Sequence, residues 1–155
     1  MSNQDIILVV DDDASIRDLL VNILSTKYKI ITAENGREAM LVTELEKIPS
    51  LILLDVMMPE MDGYQVCEQL KSHNKDAIKE IPIIFLTSIN DSDSEIRGLK
   101  AGAVDYIVKP FSIEVVLARV ARHLKTSKEF QKKAASAQKH ASKQVLRMLD
   151  KIQQK

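Results

Sequence analysis

Tryptophan is absent and aromatic residues make up only 4% of the chain, so the core of a sequence that is 45% hydrophobic has to rest on Ile, Val, Leu and Met. That composition suits strands buried on both faces. The single cysteine, Cys67, excludes an intramolecular disulfide, and no Cys/His set with zinc spacing surrounds it; it reads as a small apolar residue on a helix. No apolar run approaches the roughly 20 residues needed to cross a bilayer, and Met1 to Asp5 lacks the basic-then-apolar pattern of a secretory signal. The expectation is a soluble cytoplasmic protein without membrane contact.

A formal net charge of +0 hides an asymmetry. Residues 126–155 carry 8 Lys+Arg against 2 Asp+Glu, leaving 14 against 20 for residues 1–125. The 155 residues are enough for one well-buried domain and too few for two. Composition therefore divides the chain into a domain over 1–125 and a basic extension over 126–155.

Ile6 to Val10 is a continuous apolar run that stops at Asp11-Asp12-Asp13, and a helical pattern (Ile16, Leu19, Leu20, Ile23, Leu24) follows directly. The unit recurs as Lys29 to Thr32 then Gly36 to Lys47, Leu51 to Leu54 then Gly63 to Ser72, Ile83 to Leu86 then Ser92 to Ala101, and Val104 to Val108 then Ser112 onward. Five short β-rich runs alternating with five helical patterns predict an α/β fold, a doubly wound parallel sheet, because parallel neighbours need a crossover that a helix supplies. Gly102 reads as the left-handed cap of the fourth helical pattern.

In open parallel sheets ligands lie beyond the carboxyl ends of the strands. Those ends carry Asp11-Asp12-Asp13, Asp55, Thr87-Ser88 and Lys109-Pro110. Taken alone, the Asp triplet is explained equally well as helix capping. Taken together, clustered carboxylates repel one another and call for a compensating cation. Carboxylate oxygens with no His or Cys nearby favour Mg2+. A carboxylate beside such an ion can attack a phosphoryl group and form an aspartyl phosphate. Lys109 and Thr87 would then partner the remaining phosphoryl oxygens.

These residues resemble a two-component response regulator receiver domain, similar to the single-domain chemotaxis regulators. The resemblance rests on Ile7-Leu8-Val9-Val10-Asp11-Asp12-Asp13, on Leu53-Leu54-Asp55-Val56-Met57-Met58-Pro59-Glu60-Met61-Asp62-Gly63, on Phe85-Leu86-Thr87-Ser88, and on Ala101-Gly102-Ala103-Val104-Asp105-Tyr106-Ile107-Val108-Lys109-Pro110-Phe111, and it covers about residues 5–125. It implies a five-stranded flavodoxin-like sheet of order 2-1-3-4-5 and a phosphorylation-dependent signalling switch. Asp55 resembles the phosphoacceptor, Asp12 the direct metal ligand, Asp11 the acid that holds the metal through water, and the Met57 backbone carbonyl the last protein ligand. Thr87 resembles the switch hydroxyl, Lys109 the phosphate-binding lysine, and Tyr106 the aromatic that turns inward on activation. Asp13 falls past the acidic pair and stays a loop or capping residue; Lys109-Pro110 is expected to be cis. Met57 and Ile89 occupy the positions that tune phosphate lifetime. Neither can activate water, which implies slow self-dephosphorylation.

The resemblance also implies partners: a sensor histidine kinase or phosphotransfer protein, read in part by the surface around Ser15 to Leu19, and a downstream protein or an output domain of a longer chain. Two other readings compete. One is a receiver-like module that binds partners without phosphate. The other is an aspartate-nucleophile phosphatase, disfavoured because such enzymes need an acid where Met57 stands; no enzyme activity beyond the chain's own phosphorylation and slow dephosphorylation is expected. In the extension, small or apolar residues from Phe130 to Ile152 recur three or four apart in one narrow stripe. It reads as a linker or as a coiled-coil homodimer helix ahead of a nucleic-acid contact, since no helix-turn-helix or aromatic platform is visible.

Overall fold

The computed structural model describes residues 4–45, 47–88 and 92–153. The elements run β1 (Ile6–Val10), α1 (Ala14–Leu24), β2 (Lys29–Ala33), α2 (Gly36–Leu45), β3 (Leu51–Asp55), α3 (Gly63–Lys71), α4 (Asp76–Lys79), β4 (Ile83–Thr87), α5 (Ser92–Ala101), β5 (Asp105–Val108) and α6 (Ile113–Gln153). The five strands form one sheet of order β2-β1-β3-β4-β5, and every pairing is parallel.

Alternation along the central strands sends side chains to two separate cores. Ile7, Val9, Leu51, Leu53, Ile84 and Leu86 face Leu20 and Leu24 of α1 and Val116, Val120 and Leu124 of α6. Leu8, Val10, Ile52, Leu54 and Phe85 face Ala39 of α2 and Val66, Cys67 and Leu70 of α3. With both faces covered, the strands read as unbroken apolar runs, which is why their positions were visible without alternation in the sequence.

The sequence pattern predicts five helices, and the described residues form six. The addition, α4, is a single turn in which only Ile78 is buried, too short for any 3.6-residue period to register. Val104 was also read as the first residue of β5, yet the strand begins at Asp105 and Val104 is exposed. Gly102 ends α5 with φ +108, a backbone region in which a side chain would be strained. Cys67 is fully buried on α3, and its apolar surroundings push the thiol up to about 11, leaving it protonated and inert.

Contacts gather into one compact unit ending at Leu124 and a second beginning at Lys125. Residues 128–153 are exposed throughout. No helix among the described residues is long and apolar enough to cross a membrane.

Candidate functional site

Parallel pairing puts the carboxyl ends of the strands on one edge. Val10 pairs with Leu54, Asp55 with Leu86, and Thr87 with Val108, so the residues that end or follow β1, β3, β4 and β5 become neighbours. The strand order reverses direction between β1 and β3, where open α/β sheets form their ligand crevice. Main-chain bonds carry the alignment one residue beyond the strands: Asp11 N donates to Ala33 O at 3.2 Å, Val56 N to Leu86 O at 3.1 Å, and Lys109 N to Thr87 O at 2.7 Å.

One oxygen from each of Asp11, Asp12 and Asp55 lies within 4.8 Å of the others. Asp11 is fully buried and Asp55 nearly so, whereas Asp12 faces solvent. Lys109 reaches into this group, its Nζ 2.8 Å from Asp11 Oδ2 and 3.3 Å from Asp55 Oδ1. The triplet divides as the sequence left open. Asp13 caps α1 by accepting from Ser15 N at 2.8 Å, while Asp11 and Asp12 join Asp55.

Three carboxylates against one ammonium leave the group short of positive charge. Burial, followed by the charge of Asp11, pushes the Asp55 carboxyl up to about 7, against the opposing pull of Lys109. Burial works against the Lys109 ammonium as well, but its hydrogen bond to Asp11 and the charges of Asp55 and Asp11 outweigh it and hold the amine above the usual lysine range. An oxygen-only donor set with unmet negative charge fits a hard divalent cation.

Thr87 is buried at the end of β4, and Tyr106 is half-buried on β5. The Glu95 carboxylate on α5 is the main influence that raises the Tyr106 phenol. The Lys109-Pro110 peptide is cis. Met57 lies in the loop after β3, its side chain 62% exposed and its N–H donating to Asp55 Oδ1 at 3.4 Å. Ile89 lies outside the described residues.

A family model for the response regulator receiver domain matches residues 7–121. The chain belongs to this family. Among similar receiver-family proteins, a probable transcriptional regulator ycf27 of Pyropia yezoensis is 49% identical over 122 residues, 77% of this chain and 48% of that protein. The alkaline phosphatase synthesis transcriptional regulatory protein PhoP of Bacillus subtilis is 45% identical over 122 residues, 78% and 49% of the two chains. The chain thus spans about half the length of these curated relatives. In structure, the receiver-family chemotaxis protein CheY4 of Vibrio cholerae superposes with TM-score 0.72 at 31% identity, covering 77% of this chain and 98% of that one.

The receiver match takes in Asp11, Asp12, Asp55, Met57, Thr87, Tyr106 and Lys109. Side chains around them went unnoticed in the sequence. Arg17 of α1 donates to the Asp11 main-chain oxygen at 2.7 Å, so that Asp11 is held at its carbonyl as well as by Lys109. Asp105 on β5 binds His123 Nε2 at 2.9 Å and lies 3.9 Å from Arg119 Nε, and Arg119 also donates to Tyr106 O. The spacing of Arg119 and His123, one turn apart on α6, was the available signal. Nothing in sequence showed that Asp105 would lie beneath them.

Proposed function

We propose that the chain is a phosphorylation-operated switch in which Asp55 accepts a phosphoryl group from a histidine kinase or phosphotransfer protein. The observation that carries this reading is the Asp55 carboxylate set between Asp11, Asp12 and Lys109 at the strand-order reversal. In the reaction an Asp55 carboxylate oxygen attacks phosphorus, a phosphorus–oxygen bond forms, and the bond to the donor nitrogen breaks, with the electron pair leaving on the donor. Lys109, already 3.3 Å from Asp55, moves its charge from the carboxylate to a phosphoryl oxygen. Thr87, at the neighbouring strand end, donates its hydroxyl to another. Asp11, Asp12, Asp55 and the Met57 carbonyl would hold a Mg2+ ion, which would supply charge neutralisation for the transferring group.

Loss of the Lys109–Asp55 contact and recruitment of Thr87 then favour a second arrangement in which Tyr106 turns inward and the surface of α5, β5 and α6 changes. That surface is read by a downstream protein or by an output domain of a longer chain. The cytoplasm, where kinase and phosphodonor reside, is the compartment in which such a switch operates.

Incubation of the chain with a small acyl phosphate and Mg2+ should add one phosphoryl mass, and borohydride trapping followed by peptide mapping should locate it at Asp55. Incorporation that is independent of divalent metal, or mapped elsewhere, would overturn the reading.

Once formed, the acyl phosphate should persist. The Met57 side chain, exposed in the loop after β3, carries no group that can orient or deprotonate water. Met57→Asn is expected to shorten the lifetime about tenfold by supplying a polar group to the attacking water, measured as loss of radiolabel in Mg2+ buffer. An unchanged decay rate would assign the lifetime to other positions.

A further inference from the structure

We propose that the exposed half of α6 pairs with the same segment of a second copy of this chain, as an antiparallel helix pair centred on Ala141. This goes beyond the switch reading and does not depend on Asp55.

At about 100° per residue, Phe130, Ala134, Ala137, Ala141, Val145, Met148 and Ile152 fall within an arc of about 80°. They are all exposed, Phe130 at 62% and Ile152 at 68%. Every Lys, Arg, Asp and Glu from 128 to 151 lies at least about 80° from the centre of that arc. The positions immediately beside it are Thr126, Gln138 and Gln144, all uncharged. A membrane-surface or acid-seeking helix would place its Lys and Arg along both borders; here only Lys133 and Lys151 come near one of them, and Lys128, Lys132, Lys139, Lys143 and Arg147 lie on the far side.

Residue sizes along the stripe identify the partner. In an antiparallel pair with its two-fold axis at Ala141, Phe130 meets Ile152, Ala134 meets Met148, Ala137 meets Val145, and Ala141 meets itself. Small faces large in both layers adjoining the centre, so the two surfaces interdigitate at nearly constant axial separation. In a parallel pair, Ala134, Ala137 and Ala141 would each face their own copy while Val145, Met148 and Ile152 crowded theirs, and the helices would splay. The arrangement is isologous and therefore closes as a dimer.

One flank opposes the pairing. Lys133 and Lys151 lie on the same side of the stripe, and antiparallel packing brings Lys133 of one copy beside Lys151 of the other. Added salt should therefore tighten the dimer.

Sedimentation equilibrium of the unphosphorylated 155-residue chain should show reversible dimerisation, with a dissociation constant on the order of 10–100 μM. Ala141→Glu should weaken it at least about tenfold by placing two carboxylates at the axis, while Lys143→Glu on the opposite face leaves it unchanged. Lys133→Glu should tighten it about threefold. Under mild oxidation, a mixture of Ala134→Cys and Met148→Cys chains should give the mixed disulfide in preference to either self-disulfide. A strictly monomeric chain, an Ala134→Cys self-disulfide as efficient as the mixed one, or binding of anionic vesicles without self-association would each overturn the proposal.

Discussion

Replacing Asp55 with asparagine should abolish phosphoryl incorporation and, in the absence of divalent metal, make the protein more stable. The loss follows from chemistry: the amide nitrogen lone pair is delocalised and cannot displace a donor. The gain follows from linkage. The folded Asp55 carboxyl sits at about 7, against 3.8 as its ordinary value. The fold therefore binds this proton more tightly than the unfolded chain does. The associated stability is fully present below about pH 4 and is shed as pH rises through about 7. Each pH unit between the two values is worth about 1.4 kcal/mol, so the ionised carboxylate burdens the metal-free protein at pH 8 by on the order of 4 kcal/mol. Asparagine keeps the shape, still offers an oxygen to Lys109, and removes that charge. Thermal unfolding in EDTA should give a melting temperature higher by roughly 8–16 °C for Asp55→Asn at pH 8, with the difference vanishing near pH 4. Mg2+ should narrow the gap by stabilising the wild type more. A variant less stable than wild type at pH 8 would contradict the electrostatic account.

The residues of the site are unequally legible in the sequence. Asp11, Asp12, Asp55, Thr87 and Lys109 could be gathered because a parallel sheet puts all strand ends on one edge, so that locating five apolar runs was enough to place five side chains together. Family resemblance alone had given Tyr106 a part, and the structure adds a neighbour, Glu95, whose carboxylate acts on its phenol. The length of α6 was legible from the absence of Gly and Pro after Ser112. Less could be read where an interaction depends on the angle at which a helix crosses the sheet. Arg17 is an ordinary helix-surface arginine until the fold brings its guanidinium 2.7 Å from the Asp11 carbonyl. His123 likewise gains its partner Asp105 from the packing of α6 on β5.

Packing also tells how the site and the fold share residues. Lys109 N is bonded to Thr87 O, so the lysine and the hydroxyl assigned to the phosphoryl group stand on strands that cannot shift independently. On the far side of β5, Asp105 and the Tyr106 carbonyl are held by His123 and Arg119 of α6. The Tyr106 main chain is thus tied to α6, while its phenol interacts with Glu95 of α5.

Gly63→Ala should destabilise the protein by about 3 kcal/mol or more, the largest loss expected from adding one methyl group anywhere in this site. Gly63 opens α3 immediately after the capping residue Asp62, and its N–H donates to Val56 O at 2.9 Å. A Cβ there would lie 2.9 Å from Val56 Cα and closer still to the Asp55 carbonyl oxygen. Both are main-chain atoms of the acceptor strand and its exit, so no rotamer change relieves the overlap. Either the turn opens and α3 loses its footing, or Asp55 is displaced from Asp11 and Lys109. Gly36→Ala is the control. Its Cβ would come 2.8 Å from Cγ2 of the fully buried Val66 and 2.9 Å from Met61 Sδ; Met61 can swing aside, the stiff Val66 side chain yields at some cost, and alanine favours the helix by about 0.5–1 kcal/mol. Denaturant titration should place the Gly63 variant far below wild type and the Gly36 variant between the two. If Gly63→Ala retains enough fold to be assayed, its phosphorylation rate should fall more than its stability alone predicts, because the added methyl group presses on the main chain that positions the acceptor.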